Sequence, residues 1–228
     1  MTIGCILASA ASVAFAFLCV AFRRKNKSFT GMLFKFLASV AFISVSLIGF
    51  LSNPVNPNYF IMICFGLLFG LMGDVLLGIK EIAPVFRSKL ILYGTASFLL
   101  GHFFYIAGFI SLSGFKKVTM LFFLLGVAIC LLLIKITKAQ VKGKFIIIMP
   151  IYFGVLVFKA ATAFCCMLTQ LCPTTILAFI SCLLFIISDT CLGFLYFTPV
   201  KKKNALVTAE LITYYPAQLL LAMGIALM

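Results

Sequence analysis

The chain has 228 residues, of which 65% are hydrophobic and only 10% are charged, and its formal net charge is +14. Its mean hydropathy of +1.29 excludes an ordinary soluble globular protein. A large positive charge is also typical of nucleic-acid-binding proteins, but here most of the cations lie in short connections between long apolar runs. We therefore predict a membrane protein with no nucleic-acid partner.

Eight apolar runs follow one another along the chain, and each is long enough to cross a membrane. A helix needs about 20 such residues to span the hydrocarbon core, and lipid offers no hydrogen-bond partner to an open backbone. The predicted spans are residues 3–22, 31–51, 59–79, 90–110, 118–134, 145–168, 174–197 and 205–227. The sequence therefore predicts an all-α polytopic transmembrane helix bundle, with a single integral membrane domain over residues 1–228.

Positive charge is concentrated on one side of these spans. Of the 18 Lys and Arg residues, 14 lie in the first, third, fifth and seventh connections, whereas only Lys116 and Lys117 lie on the opposite side. The positive-inside rule then places both termini on the non-cytosolic side. Such basic clusters also contact anionic headgroups, so we expect bilayer lipids as partners. No basic segment precedes the first run, so we expect no cleaved signal peptide.

Two of the chain's four acidic residues, Asp74 and Asp189, lie inside apolar spans. A charged carboxylate at the bilayer centre costs about 2.5–3.5 kcal/mol on insertion scales, which makes each aspartate a functional-site hypothesis. Both precede the cytosolic ends of their predicted spans, so we expect the active site in the cytosolic half of the bilayer. The segments 73–78 and 188–193 share the pattern Gly/Ser-Asp-x-x-Leu-Gly, which is compatible with a four-plus-four duplication.

Helical spacing indicates which polar side chains accompany these aspartates. Gly66, Gly70 and Gly78 share the face of Asp74, and small residues let another helix approach closely. The other polar residues considered within the spans are Lys35, His102 and Tyr105, Tyr152 and Lys159, and Glu210, Tyr214, Tyr215 and Gln218. We predict that both aspartates share one polar cavity with several of these side chains.

Each of these residues also has a structural interpretation. Lys35 could extend to the headgroups, and His102 and the tyrosines could serve helix packing. The aspartates could be neutralised by Lys35, Lys159 or His102. Alternatively, two carboxyls in a low-dielectric pocket can divide into one protonated acid and one carboxylate base. A zinc site would have to combine His102 with both aspartates, and we predict no metal and no cofactor.

Five segments carry a resemblance to a known family. They are LFKFLAS around Lys35, LMGDVLL around Asp74, FLLGHFFYIAGF around His102 and Tyr105, LFIISDTCLGF around Asp189, and ITYYPAQLLL through Gln218. In this order, and over residues 30–225, they resemble the YhhN-like lysoplasmalogenase family of polytopic membrane hydrolases. The chain departs from that family where no proline follows Lys35 and where Lys159 occupies a stretch that we expect to be apolar.

The resemblance implies a lysophospholipid substrate, whose vinyl ether bond is hydrolysed to a fatty aldehyde and glycerophosphoethanolamine or glycerophosphocholine. We expect Asp74 and Asp189 to be the catalytic acid and base. The expected substrate-binding residues are Lys35, His102, Tyr105, Tyr214, Tyr215 and Gln218, with Lys35 next to the phosphate. A proton-coupled transporter of a lipid or small molecule and a structural helix bundle remain as alternatives. Release of aldehyde would distinguish the enzyme from both.

Overall fold

The computed structural model describes residues 2–25 and 27–228, and eight long α-helices account for most of them. They are α1 (Ile3–Arg24), α2 (Ser28–Ser52), α3 (Pro57–Ile79), α4 (Arg87–Ser113), α5 (Thr119–Thr137), α6 (Phe145–Thr169), α7 (Pro173–Phe197) and α8 (Lys203–Ala226). A 3-10 turn, Pro84–Phe86, precedes α4. The structure is 85% helix, and its described residues contain no strand. The predicted all-α class is therefore confirmed.

All eight helices are long and apolar enough to cross a membrane, which confirms the predicted multi-pass organisation. Five of them begin earlier than the hydropathy indicated, and the difference is largest for α2, which begins at Ser28 instead of 31, and for α4, which begins at Arg87 instead of 90. Helices continue into the headgroup region because Lys and Arg can keep their charged ends in water there. α3 and α7 begin at Pro57 and Pro173, whose fixed φ suits a first helical turn. The sidedness of the termini stays a prediction.

Six helices contact one another in a closed cycle, in the order α2, α3, α4, α6, α7 and α8. α1 packs against α2 and α8, and α5 packs against α6. α8 also contacts α3, and the side chains of Glu210, Tyr214 and Gln218, which lie at i, i+4 and i+8 on one face of α8, are buried inside this cycle. Among the described residues α5 has no such packing with α4 or α7, and a cavity lies between these helices and α6.

The small residues of α3 allow side chains from α4 and α8 to reach the backbone of this helix. A Cβ atom at Gly66 would overlap the ring of Tyr105, and one at Gly70 would overlap the amide nitrogen of Gln218. The predicted close approach along the Asp74 face is therefore confirmed. This approach brings polar groups of α4 and α8 close to Asp74.

Candidate functional site

Asp189 lies on α7 and is held by two side chains from neighbouring helices. The hydroxyl of Tyr152 on α6 donates to Asp189 Oδ2 at 2.8 Å, and His102 Nε2 on α4 lies 3.3 Å from the same oxygen. Nε2 also lies 3.0 Å from the Tyr152 hydroxyl oxygen. The Asp189 side chain is 9% exposed. A carboxyl, a phenol and an imidazole thus form one compact group at the boundary of the helix core.

Lys159 of α6 completes this group from the other side of the imidazole. Its Nζ lies 3.1 Å from His102 Nδ1 and 3.7 Å from the centroid of the Phe185 ring. An ammonium group can only donate, so Nδ1 accepts from it and the hydrogen of neutral His102 lies on Nε2. The imidazole therefore presents an N–H to Tyr152 and Asp189, and it connects the ammonium to the carboxyl through hydrogen bonds.

Asp189 and Tyr152 open onto a cavity of about 90 Å³ between α4, α5, α6 and α7. The wall is made mainly of apolar side chains, among them Phe98, Leu133 and Phe153, and we call this space the apolar cavity. Among the described residues that line it, Asp189 is the one charged side chain. A carboxyl on the wall of such a cavity can contact the chain of a lipid that enters it.

Asp74 belongs to a different hydrogen-bond network. Its carboxylate forms an ion pair with Lys35 Nζ at 3.1 Å and accepts hydrogen bonds from Ser39 at 2.7 Å and Tyr214 at 2.8 Å. Lys35 also lies 3.8 Å from Glu210 Oε1. Both members of the ion pair are buried. Lys35 therefore does not extend to the headgroups, and the structural interpretation in which it neutralises Asp74 agrees with the geometry.

A chain of hydrogen bonds continues from Asp74 toward α4. The Gln218 amide nitrogen donates to the Tyr214 hydroxyl at 3.0 Å, and Tyr105 donates to the Gln218 carbonyl oxygen at 2.6 Å. The ring of Phe185 lies 6.0 Å from both the Tyr105 and Tyr214 rings and 5.3 Å from the His102 imidazole. Phe185 thus packs against both networks and lies between the groups that hold the two aspartates.

The prediction that both aspartates share one polar cavity is therefore wrong. Asp189 lines the apolar cavity and Asp74 does not, because Lys35, Ser39 and Tyr214 enclose the Asp74 carboxylate. Tyr215 also differs from the expected arrangement, since its hydroxyl donates to Cys19 Sγ on α1 at 3.5 Å. The polar residues of the sequence form two networks that meet around Phe185.

Sequence reasoning did not identify Ser39 or assign a site role to Tyr152. Ser39 lies one helical turn after Lys35, a spacing that places both side chains on the same face. Tyr152 lies seven residues before Lys159, and the two side chains meet at opposite nitrogens of His102. Within the described residues, no three His, Cys, Asp or Glu side chains are placed to hold a metal ion. The absence of a cofactor stays a prediction.

Together these features define a multi-pass α-helical membrane protein with a carboxyl–imidazole group beside an apolar cavity. Residues 30–225 match the YhhN family, and the chain belongs to this family. No curated protein and no solved structure matches the chain. Membership of the YhhN family fits a lysoplasmalogenase-like role and is consistent with a hydrolase.

Proposed function

We propose that the protein hydrolyses the vinyl ether bond of lysoplasmalogens at Asp189. The observation that supports this proposal most is the position of Asp189 as the one charged side chain among the described residues of the apolar cavity. A single-chain lipid can place its alkenyl chain there with the ether next to the carboxyl. Membership of the YhhN family fits the same reaction.

In this proposal Asp189 receives its catalytic proton through His102. The Lys159 ammonium donates a proton to Nδ1, while Nε2 releases its proton to Asp189, either directly or through the Tyr152 hydroxyl. The transfer leaves neutral Lys159, protonated Asp189 and the other neutral tautomer of His102. In an apolar interior it removes two separated charges, each of which is costly to bury.

Hydrolysis then begins when Asp189 transfers this proton to the alkene carbon that is not bonded to oxygen. The resulting oxocarbenium ion lies beside the Asp189 carboxylate, whose charge stabilises it. Water adds to the cationic carbon and gives one proton to Asp189, and the substrate becomes a hemiacetal. The hemiacetal collapses to a fatty aldehyde and the glycerol hydroxyl of the other product. The overall reaction consumes one water molecule and no net proton.

Asp74 has a supporting role in this proposal, which revises the expectation that both aspartates act on the substrate. Its ion pair with Lys35 and its hydrogen bond from Tyr214 maintain the chain that ends at Tyr105. Tyr105 lies one helical turn after His102. Lys35, Tyr105, Tyr214 and Gln218 are therefore positioning residues here, whereas His102 acts next to the reacting atoms.

Aldehyde release by the purified full chain tests this function. We expect aldehyde from lysoplasmenylethanolamine and none from its saturated alkyl-ether analogue, with or without a chelator. Asp189→Asn should lower kcat at least about 100-fold, because the acid–base group is lost, while the melting temperature stays unchanged. Asp74→Asn should lower both the activity and the melting temperature. The unfolding free energy should fall by up to about 3 kcal/mol, because Lys35 loses its nearest counter-ion.

Two outcomes would contradict the proposal. Full activity of Asp189→Asn would remove this residue from the chemistry. No aldehyde from folded wild-type protein would favour the transporter, and lipid and proton flux across vesicles would then be measured. Loss of activity with a chelator would instead indicate that a metal ion takes part.

A further inference from the structure

A second cavity, of about 30 Å³, lies where α1, α3 and α7 end and α2, α4 and α8 begin. Its charged lining residues are Arg23, Lys35, Lys80, Arg87 and Lys203, together with Glu81 and Glu210. We call this space the basic chamber. Its lining has three more cations than carboxylates, and an excess of one sign of charge in a cleft attracts ions of the other sign.

The carboxylates of the basic chamber leave part of its positive charge unpaired. Glu81 accepts from Lys80 at 2.9 Å and lies 3.7 Å from Arg23. Burial opposes ionisation of Glu81, but the Lys80 and Arg23 cations hold its pKa below the ordinary value. Arg87 and Lys203 are exposed and form no ion pair among the described residues. Both are therefore available to an anion.

Lys80 and Tyr196 contribute further donors. Lys80 is only 4% exposed, and its ammonium donates to the Tyr196 hydroxyl at 2.7 Å and to Glu81. Two of the three ammonium hydrogens are thus used within the described part of the chain. Tyr196 accepts from Lys80, and its own hydroxyl hydrogen has no acceptor among the described residues. Phosphate oxygens accept such hydrogen bonds strongly, because they carry charge.

The basic chamber adjoins the apolar cavity. Leu192 and Tyr196 line both spaces, so one turn of α7 forms their common wall. Asp189 precedes Tyr196 by seven residues, which is about 10 Å along a helix axis. One wall of α7 therefore presents an acid–base group in an apolar space and, about two turns later, a phenol beside clustered cations.

This arrangement matches the polarity of a single-chain phospholipid, and the inference rests on the proposed function. We propose that the basic chamber binds the phosphate anion of the lipid whose alkenyl chain occupies the apolar cavity. Arg87, Lys203, Lys80 and Tyr196 provide the donors, in place of Lys35, whose ammonium forms an ion pair with Asp74. The headgroup then holds the chain so that its ether lies near Asp189.

Binding of a ligand that cannot be hydrolysed tests the chamber independently of turnover. The full-length protein in a maltoside detergent would be titrated with a saturated alkyl-ether lysophosphocholine and with the alkylglycerol of the same chain. We expect the phosphate-containing lipid to bind about tenfold more tightly, as one strong charge-assisted contact provides. In the double variant Arg87→Gln/Lys203→Gln this ratio should fall to about twofold or less, while alkylglycerol binding stays unchanged.

The double variant Lys116→Gln/Lys117→Gln is the matched control, because it removes two exposed lysines between α4 and α5, at the other end of these helices. This control should keep the tenfold ratio. The proposal is overturned if Arg87→Gln/Lys203→Gln keeps the wild-type ratio, or if the control loses it equally. Melting temperatures of both variants should equal that of the wild type, because none of these four residues is buried.

Two further measurements are needed. One distinguishes a free anion from the phosphate of a lipid, and the other distinguishes phosphate binding from the proposed reaction. Competition by millimolar inorganic phosphate, absent in Arg87→Gln/Lys203→Gln, would show that the chamber also accepts a free anion. No competition, with the tenfold ratio retained, would show that the anion binds as part of the lipid. If no aldehyde is released but binding of the phosphate-containing lipid depends on Arg87 and Lys203, phosphate binding in the basic chamber is supported and the proposed reaction is not. Aldehyde release at an unchanged KM in Arg87→Gln/Lys203→Gln would overturn the proposal of phosphate binding but not the proposed reaction.

Discussion

Lys159 is a buried cation with no carboxylate at ion-pair distance among the described residues. Its Nζ contacts His102 Nδ1 and the face of Phe185. Removing an ammonium from water costs several kcal/mol, and a desolvated cation–π contact returns about 2 kcal/mol. The buried Lys159 ammonium thus lowers the stability of the fold. Supplying a proton to the imidazole is a role that requires an ionisable group at this position.

We therefore predict that Lys159→Met lowers activity without lowering stability. Methionine keeps the length and apolar packing of the side chain but cannot donate to Nδ1, so kcat should fall about 100-fold. KM should stay within about twofold, because Lys159 does not line the apolar cavity. The melting temperature should stay equal or rise, since the buried charge is gone. Aldehyde-release kinetics and thermal unfolding of the same preparation measure both.

Lys159→Arg is the matched control, because a guanidinium keeps the positive charge but does not release a proton in proteins. We expect it to be about as inactive as Lys159→Met. Wild-type kcat in Lys159→Arg would show that Lys159 acts only through its charge, which contradicts a proton supply through His102.

At the residue scale, the sequence identified the charged residues that are costly to bury more reliably than it identified the side chains that contact them. Asp74, Asp189 and Lys159 stand out because each carries a charge inside an apolar span. Their partners could not be predicted, since helical spacing gives the face of a helix but neither its rotation nor its neighbour. Tyr215 is the clearest case: it lies about 100° around α8 from Tyr214 and therefore contacts Cys19 on α1.

At the scale of elements, one face of α7 lines the apolar cavity over two turns. Asp189, Leu192, Gly193 and Tyr196 recur at helical spacing on this wall. A Cβ atom at Gly193 would meet only the end of Met149, at 3.6 Å, which is an ordinary van der Waals contact. The wall at Gly193 thus faces free space one turn from Asp189, unlike the glycines of α3, which face other helices.

A larger side chain at this position is predicted to obstruct the alkenyl chain. Gly193→Ala should leave stability and activity close to wild type, because the added methyl group meets no close neighbour. Gly193→Leu should lower kcat/KM for a long-chain lysoplasmalogen about tenfold, since its side chain occupies cavity volume beside Asp189. The melting temperature should not fall, and a series of alkenyl chain lengths measures the effect.

Gly66→Ala is the matched control for a packed glycine. Its new Cβ would overlap the Tyr105 ring, so we expect a loss of about 1–3 kcal/mol in unfolding free energy from overpacking. Unchanged kinetics of Gly193→Leu for every chain length would mean that the substrate does not pass this part of α7.

The number and extent of the helices followed from hydropathy, but their arrangement did not. A span of about 20 apolar residues is recognisable wherever it occurs, and even the short α5 was predicted within a few residues. Lipid tails are as apolar as a protein interior, so the pattern of apolar residues does not separate buried faces from lipid-facing ones. The position of α5 against α6, which creates the apolar cavity, therefore could not be predicted.

At the scale of the whole molecule, the two cavities together match the polarity of one lipid, because one is lined mainly by apolar side chains and the other by cations. The apolar cavity and the basic chamber share Leu192 and Tyr196 in their walls. The chamber lies at the end of the bundle where the sequence concentrates its cations, the end predicted to face the cytosol. The charges that orient the chain in the membrane and those that contact the headgroup are thus partly the same residues.

The basic chamber should make substrate binding depend on pH through Lys80. Burial lowers the pKa of Lys80 from 10.5 to about 8, although the neighbouring Glu81 opposes this change. The charged or titratable groups around it in the chamber are Arg23, Lys35, Glu81, Arg87, Tyr196, Lys203 and Glu210. Above about pH 8 the chamber loses one cation, so attraction for a phosphate anion weakens.

We predict that kcat/KM for the phospholipid falls severalfold between pH 7 and pH 9.5 with a midpoint near 8, because this ratio reports the free enzyme. Loss of the Lys159 proton lowers kcat/KM for both substrates, so Lys80 is tested by the ratio of kcat/KM for the phospholipid to that for the phosphate-free alkenylglycerol, which should show this fall. Lys80→Arg, which stays charged at these pH values, should remove it.

Stability should change in the opposite sense. Between about pH 8 and 10.5 the unfolded chain binds a proton that the folded protein does not, so unfolding free energy rises by on the order of 3 kcal/mol. A pH series of kinetics and thermal unfolding distinguishes these opposite trends, and an equal fall for both substrates would contradict a role for Lys80 in phosphate binding.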